Sequence, residues 1–137
     1  MKIIDKNAFI SKPYKMRCLI SNLEFEDELH TFDTENMNQV TDLVDTITTS
    51  LVTSFYYTVN GLKVEGDVEF YNQKDGTWSW TKAEELTLGS FLFTDHNKLE
   101  MITQIDNTND LLEGCSLVTD TNFFVGGYLA KWAIEYY

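Results

Sequence analysis

This chain contains three dipeptides that are typical of tight turns, and they constrain its fold more than any other feature of the sequence. Asn60-Gly61, Asp75-Gly76 and Gly126-Gly127 each stand between short runs rich in β-branched and aromatic residues. Both positions of such a dipeptide tolerate the positive φ angles of a tight hairpin turn. The sequence therefore predicts three β-hairpins, whose strands lie at 52–59 and 62–64, at 68–71 and 78–80, and at 122–125 and 128–132.

The remaining apolar periodicity also favours strands over helices. Segment 40–48 fits either a strand or a short helix, and its Thr and Val content favours a strand. Thr81, followed by Glu84, predicts one short helical turn over 82–86. Further strands are predicted at 16–20, 29–32, 91–93, 101–105 and 116–118.

Alternation within the second hairpin places Phe70, Trp78 and Trp80 toward the core. No repeat, low-complexity tract or linker-like composition divides the 137 residues. We therefore expect a single all-β domain, compact and hairpin-rich, with at most one or two short helical turns.

The charge of the chain is strongly negative and unevenly distributed. The net charge is −12, which argues against nucleic-acid binding through phosphate contacts, since such contacts need Lys and Arg. Residues 1–17 carry five basic side chains against Asp5 alone, a net +4, whereas residues 18–137 carry five basic and 21 acidic ones, a net −16. We interpret 1–17 as a basic N-terminal arm or a first strand, and 18–137 as the β domain. The arm residues expected to bind a protein partner are Lys2, Lys6, Lys12, Lys15 and Arg17.

Neither the cysteines nor the histidines form a recognisable site in the sequence. Cys18 and Cys115 are interpreted as reduced, partly buried thiols, with a disulfide between them left open. His30 and His96 have carboxylates nearby in sequence, but we expect solvent-facing histidines in turns rather than a metal site. No apolar run approaches the about 18 residues that cross a bilayer. No cofactor, metal or membrane partner is predicted.

Three blocks of this sequence, in order, resemble the hedgehog/intein superfamily of self-processing domains, which share the Hint fold. They are LKVEGDVEF at 62–70, WTKAEELTLGSFL at 80–92 and NFFVGGYLAKW at 122–132. A weaker fourth block, ISNLEFEDELHTFD at 20–33, resembles the early Leu-x-x-Gly-Asp-x-Val block of that superfamily. The resemblance implies a Hint-like, intein-like β fold.

The resemblance also implies which positions would carry the chemistry, and each holds an unsuitable residue here. In the family, a Thr-x-x-His box activates a scissile peptide, and a final His-Asn pair cleaves the downstream junction. The box Thr falls on Glu65 and its His on Val68, while the final pair falls on Lys131 and Trp132. Valine has no titratable nitrogen, lysine is a cation at neutral pH, and tryptophan cannot cyclise. The nucleophile position falls within 3–7, where no residue has a thiol or hydroxyl.

These replacements predict a non-enzymatic protein that acts through its surface. The aromatic C-terminal residues Trp132, Tyr136 and Tyr137 are predicted to bind a protein partner, since Trp and Tyr anchor interfaces. The alternative is that this tail closes the sheet of the domain itself.

The predicted function is that of a structural subunit, present in multiple copies in a larger assembly. Stand-alone modules with these Asn-, Asp- and Thr-rich loops resemble proteins of large tailed bacteriophages, which predicts a head, neck, tail or baseplate component located in the virion, or otherwise in the cytoplasm. Two alternatives remain open. One is self-processing through an unconventional nucleophile, Cys18 or Ser21. The other is an acidic decoy for a nucleic-acid-binding protein.

Overall fold

Fifteen β-strands make up most of residues 2–131, the part of the chain that this computed structural model describes. They form two curled sheets. The first contains β1 (Ile4–Asp5), β4 (Glu28–Asp33), β5 (Asn38–Thr53), β6 (Tyr56–Val59), β7 (Leu62–Val64), β12 (Ile105–Thr108) and β13 (Leu112–Thr119). The second contains β2 (Phe9–Lys12), β3 (Met16–Leu19), β8 (Glu69–Lys74), β9 (Thr77–Lys82), β10 (Phe91–Phe93), β11 (Leu99–Met101), β14 (Phe123–Val125) and β15 (Tyr128–Lys131).

All the strand pairs are antiparallel, as the hairpin signals predict. The first sheet runs β12-β6-β7-β1-β13-β5-β4, and the second runs β11-β10-β8-β15-β14-β2-β3, with β9 paired to β8. Helical structure among residues 2–131 is limited to three 3-10 segments of three residues each. The predicted all-β fold class is therefore confirmed.

The longest strand, β5, links two parts of the first sheet. Its first residues pair with β4 from Glu28↔Leu43 to Asp33↔Asn38, and its later residues pair with β13 from Thr53↔Leu112 onward. The uncertain segment 40–48 is therefore a strand, as its Val and Thr content indicates.

Apolar side chains of both sheets meet in a continuous core that includes Ile4, Ile10, Val68 and Phe70. Because Ile4 and Ile10 are at most 1% exposed, residues 2–12 contribute buried side chains to the domain as well as lysines to its surface. Their burial supplies part of the hydrophobic stabilisation of both sheets.

The predicted common face of Phe70, Trp78 and Trp80 is wrong. Phe70 is fully buried, but Trp78 and Trp80 lie on the opposite face of the β8–β9 hairpin. The two-residue Asp75-Gly76 turn sets a register in which Trp80 lies opposite Tyr71 rather than beside Phe70. Both tryptophans pack half-buried in a second aromatic cluster with Phe32, Phe93, Phe124, Leu129 and Tyr71.

A second correction concerns the predicted strand 101–105. The β10–β11 hairpin ends at Met101, and buried Ile102 leaves the strand. Residues 105–108 then form β12, which pairs with β6 from Ile105↔Val59 to Thr108↔Tyr56. A free sheet edge accepts backbone hydrogen bonds whatever the side chains are, so tertiary context overrides the low strand propensity of Asp106 and Asn107.

No helix among the described residues is both long and apolar enough to cross a membrane.

Candidate functional site

The segment 65–68, which aligns with the activating box of the resembling family, connects β7 to β8 and is bonded to the start of the chain. The Glu65 backbone N–H donates to the Ile3 carbonyl at 2.8 Å, and the Ile3 N–H donates to Glu65 Oε1 at 3.0 Å. Both partners are at least partly buried, which strengthens these bonds relative to water. Glu65 therefore holds the first residues against the sheet at the position where the family has its Thr.

Val68 is a core residue with no polar atom beyond its backbone. It is 1% exposed, its carbonyl accepts from the Ala83 N–H at 2.8 Å, and its N–H donates to the Glu65 carbonyl at 3.2 Å. A hydrocarbon side chain here can neither donate nor accept a proton, so this position contributes packing and no acid–base chemistry.

Lys131, at the end of β15, lies opposite Glu69 of β8. Its Nζ sits 4.5 Å from the centroid of the Trp80 ring, a cation–π contact that positions the ammonium group. The other residues predicted at the C-terminus, Trp132, Tyr136 and Tyr137, lie outside the described residues.

The two residues next to Val68 in the sequence are acidic, and each has one carboxylate oxygen without a hydrogen-bond partner among residues 2–131. Asp67 Oδ1 and Glu69 Oε2 are inaccessible to solvent and lack a hydrogen-bond partner in the described part of the chain. They are the residues next to Val68 in the sequence, and an ionised carboxylate oxygen can accept a proton. Sequence reasoning did not single them out, although their carboxylates border the box in the sequence.

Neither cysteine is activated for attack, and both are free thiols. Burial is the main cause that raises the pKa of Cys115, and Glu113 and Asp5 raise it further. Burial also raises the pKa of Cys18, where Lys12 opposes the shift and Asp27 adds to it. A raised thiol pKa lowers the thiolate fraction, which is the nucleophilic species. Ser21, the other alternative nucleophile, is exposed and has no hydrogen-bonded base among residues 2–131.

The five basic residues of segment 1–17 separate into two places. Lys2 and Lys6 lie beside β1 in the first sheet, where Lys6 Nζ forms an exposed ion pair with Glu113 at 3.0 Å. Lys12, Lys15 and Arg17 lie at the β2–β3 turn and line one cavity of about 570 Å³. The structure thus brings three of the five together.

Both histidines line the same cavity, which sequence reasoning missed because they are far apart in the chain. His96 is exposed in the β10–β11 turn. The expectation that His30 is a solvent-facing turn residue is wrong: it lies in β4, half-buried, with its ring stacked on Phe124 at 5.5 Å between centroids. Burial lowers the pKa of His30, and Asp95 partly opposes that shift.

Asp95 organises the wall of this cavity. Its Oδ2 accepts from Ser11 Oγ at 2.8 Å and from Arg17 Nη2 at 3.3 Å, and its Oδ1 lies 3.5 Å from His96 Nε2. Because Asp95 is only 8% exposed, the carboxylate acts as an internal anchor for the cations around it. Within residues 2–131, no group of three or more His, Cys, Asp or Glu side chains is arranged to hold a metal ion.

Comparison with solved structures shows that this architecture is the intein fold. The DnaB intein of Synechocystis sp. PCC 6803 superposes with a TM-score of 0.79 at 17% sequence identity, covering 98% of this chain and 100% of that one. The bacterial intein-like domain of Clostridium thermocellum gives 0.80 at 16% identity, covering 97% and 99%. The TvoVMA intein gives 0.78 at 10% identity, covering 94% and 96%. No protein-family model and no curated protein sequence matches this chain.

TM-scores of 0.79 and 0.80 at identities of 17% and 16% show that these proteins share the Hint fold with this chain. The fold predicted from the three sequence blocks is therefore confirmed. What the chain does with that fold rests on its own side chains.

Proposed function

We propose that this protein is a non-catalytic Hint-fold module that acts as a structural or interaction subunit of a larger protein assembly. The observation that carries the proposal is the state of segment 65–68. Glu65 is bonded to the backbone of Ile3, Val68 is core hydrocarbon, and Lys131 rests on Trp80. These contacts stabilise the fold without placing a nucleophile beside a base.

The surface supports a binding role. Tyr14, Met16 and Phe25 are each more than 60% exposed, and Tyr, Phe and Met are enriched at protein interfaces. The uneven distribution of charge, with a net +4 over residues 1–17 and −16 over the rest, supports partners that are proteins rather than nucleic acids.

The assembly that we propose is a tailed-bacteriophage virion, in its head, neck, tail or baseplate. Its support is the resemblance of this small acidic module, rich in Asn, Asp and Thr loops, to stand-alone Hint-like phage proteins.

Intact-mass measurement tests the absence of chemistry. We expect the full chain to keep its mass after prolonged incubation with a thiol or with hydroxylamine, because neither reagent has an activated acyl group to attack. A Cys18→Ala, Ser21→Ala double variant is the matched control. A cleavage product that appears in the wild type and disappears in this variant overturns the proposal in favour of self-processing.

The proposed virion location is tested by mass spectrometry of phage particles that have been purified on a density gradient. We expect peptides of this chain in the particles at a copy number comparable to that of the structural proteins. If the peptides occur only in the infected-cell extract, the virion role is contradicted. The protein would then be an interaction module that acts inside the cell.

A further inference from the structure

The cavity at the β2–β3 turn concentrates positive charge on an otherwise acidic molecule. Its lining includes Lys12, Lys15 and Arg17, three of the ten Lys and Arg residues of the chain, against the one carboxylate of Asp95. Counting Lys, Arg and Asp side chains, the lining carries a net +2 on a chain of net charge −12, and such local clustering attracts an anionic group.

Much of this charge is not neutralised within the molecule. Arg17 is paired with Asp95, but Lys12 and Lys15 have no ion-pair partner in the described part of the chain. Two ammonium groups therefore face the cavity mouth without a counter-charge, and an external carboxylate can supply it.

The turn that carries these lysines is conformationally unfavourable. Tyr14 and Lys15 have φ angles of 63° and 59°, in the left-handed region. In the two-residue β6–β7 turn, the positive φ angles fall on Asn60 and Gly61, residue types that tolerate them. Left-handed geometry costs an ordinary residue about 1–2 kcal/mol. Strain that persists in a surface turn is a common mark of a functional site.

The strained turn displays interface-type side chains. Tyr14 is 95% exposed and Met16, at the start of β3, is 62% exposed. An exposed aromatic ring beside unpaired cations suits a protein surface better than a small inorganic anion.

An acidic loop of complementary character lies at the other end of β3. Glu24, Glu26 and Glu28 are exposed, and none of their carboxylates has an ion-pair partner among residues 2–131. Phe25 stands between them at 67% exposure. The loop is held in place, since the Glu24 N–H donates to Asp27 Oδ2 at 2.8 Å.

The two charged patches flank one open sheet edge. β3 is the last strand of the second sheet and pairs only with β2 among the described residues. The lysines precede β3 and the acidic loop follows it, and Lys12 and Asp27 lie near enough to Cys18, within β3, to shift its pKa in opposite directions. In an antiparallel pair, the start of one strand lies against the end of the other.

We propose that two copies of this chain associate through their β3 edges in a two-fold dimer, with the acidic loop 24–28 of each copy facing Lys12 and Lys15 of the other. Such an interface is self-complementary, because the contact between the lysines and the acidic loop occurs twice, once on each side of the two-fold axis. The inference rests on the proposed function, since it makes a second copy one of the partners of the module.

Charge reversal followed by mixing tests this arrangement in the full chain. By analytical ultracentrifugation, we expect a dimer that weakens when sodium chloride rises from about 50 mM to about 500 mM, as screening predicts. Lys12→Glu, Lys15→Glu (the cavity variant) and Glu24→Lys, Glu26→Lys (the loop variant) should each raise the dimer dissociation constant about a hundredfold, because like charges then face each other.

An equimolar mixture of the cavity and loop variants should recover a wild-type dissociation constant. In that heterodimer, both cavity–loop contacts again join opposite charges, once in the native sense and once reversed. The control is Lys74→Glu, Lys82→Glu, an equal charge change at exposed positions of β8 and β9, which should leave dimerisation unchanged. A mixture that stays monomeric, or a dimer indifferent to both reversals, overturns the inference.

Zero-length carbodiimide cross-linking of the wild type provides a second readout that does not depend on variants folding. In a mixture of ¹⁴N- and ¹⁵N-labelled protein, we expect mixed-isotope peptides that join Lys12 or Lys15 to Glu24, Glu26 or Glu28. Their absence overturns the interface. If the chain is monomeric in the ultracentrifuge but keeps its mass on incubation with a thiol, only the dimer is contradicted. If a thiol cleaves the chain, the proposed non-catalytic function is contradicted.

Discussion

The segment 65–68 and the turn 13–17 use their polar groups in opposite ways. At 65–68, Glu65 and the backbone around Val68 bond to Ile3 and Ala83 inside the fold, and Asp67 Oδ1 is buried without a hydrogen-bond partner among residues 2–131. At the β2–β3 turn, Lys12 and Lys15 remain unpaired within residues 2–131, and the backbone holds an unfavourable conformation. The first region is bonded mainly within the fold, whereas the second leaves charged groups available to a second molecule.

At the positions where the resembling family has its activating box, this chain has an internally bonded carboxylate at Glu65 and a buried hydrocarbon side chain at Val68. Left-handed backbone and charges that are unpaired in the described part of the chain, features that are expected where binding occurs, lie instead at the β2–β3 turn.

The largest effect should come from introducing a charge into the closed region. We expect Val68→Asp to lower the free energy of unfolding by about 3–5 kcal/mol, since it buries an ionised group without a partner in the core. Leu88→Asp is the matched control: Leu88 is 66% exposed, and its replacement should change stability by no more than about 0.5 kcal/mol. Urea unfolding measures both. Equal effects would mean that position 68 is open to solvent and the site is not closed.

A smaller loss should follow from removing the Glu65 carboxylate. Glu65→Ala deletes the acceptor of the Ile3 N–H, and a bond to a charged acceptor contributes about 1.5–3 kcal/mol. Glu65→Gln keeps an oxygen in the same place and should lose less. Hydrogen exchange of the Ile3 amide reports the bond directly. Unchanged protection in the alanine variant would show that this side chain does not hold the chain start.

Relieving the strained turn should increase stability. We expect Tyr14→Asn with Lys15→Gly to raise the free energy of unfolding of the monomer by about 1–2 kcal/mol, because both new residues tolerate positive φ. Gly61→Ala is the matched opposite change. A Cβ there meets no atom within 4 Å, so the expected loss of about 1 kcal/mol reports its φ of +86° alone. If the Tyr14→Asn, Lys15→Gly variant is no more stable than the wild type, the turn is not strained, and strain no longer supports a binding role there.

The smallest effect is a pH dependence at the open region. Burial lowers the pKa of His30 in the folded state, so the unfolded chain binds more protons just below the ordinary histidine pKa of about 6.5. Stability from this group is present above that pH and declines as pH falls through 6.5 toward the folded value. Wild type should lose more stability between about pH 7 and pH 5.5 than His30→Asn does. Identical losses would place His30 in water.

Local signals predicted the hairpins because the turn residues carry their own conformational preference. Asn60-Gly61 adopts φ angles of 47° and 86°, as its residue types indicate. The register of the β8–β9 hairpin could also have been predicted from its turn residues, since a two-residue turn at Asp75-Gly76 places Trp80 opposite Tyr71. Alternation counted without the turn assigned both tryptophans to the wrong face.

The cavity could not be predicted in the same way. His30, Asp95 and Arg17 belong to three separate strands and turns, and no local pattern links them. The tight turn at 13–15 was also missed, because Tyr and Lys are not residues that such turns prefer.

The sequence by itself determined the all-β fold, the positions of the Asn-Gly and Asp-Gly turns and which residue types stand where the resembling family has its reactive groups, because residue type decides backbone preference and chemical capability locally. Only the tertiary structure decided that Glu65 bonds to Ile3, that Ile105–Thr108 becomes a strand, and that Lys12, Arg17, His30 and Asp95 share one cavity. Those outcomes depend on which distant segments the two sheets bring together, and long-range contacts carry no local signature in a single chain.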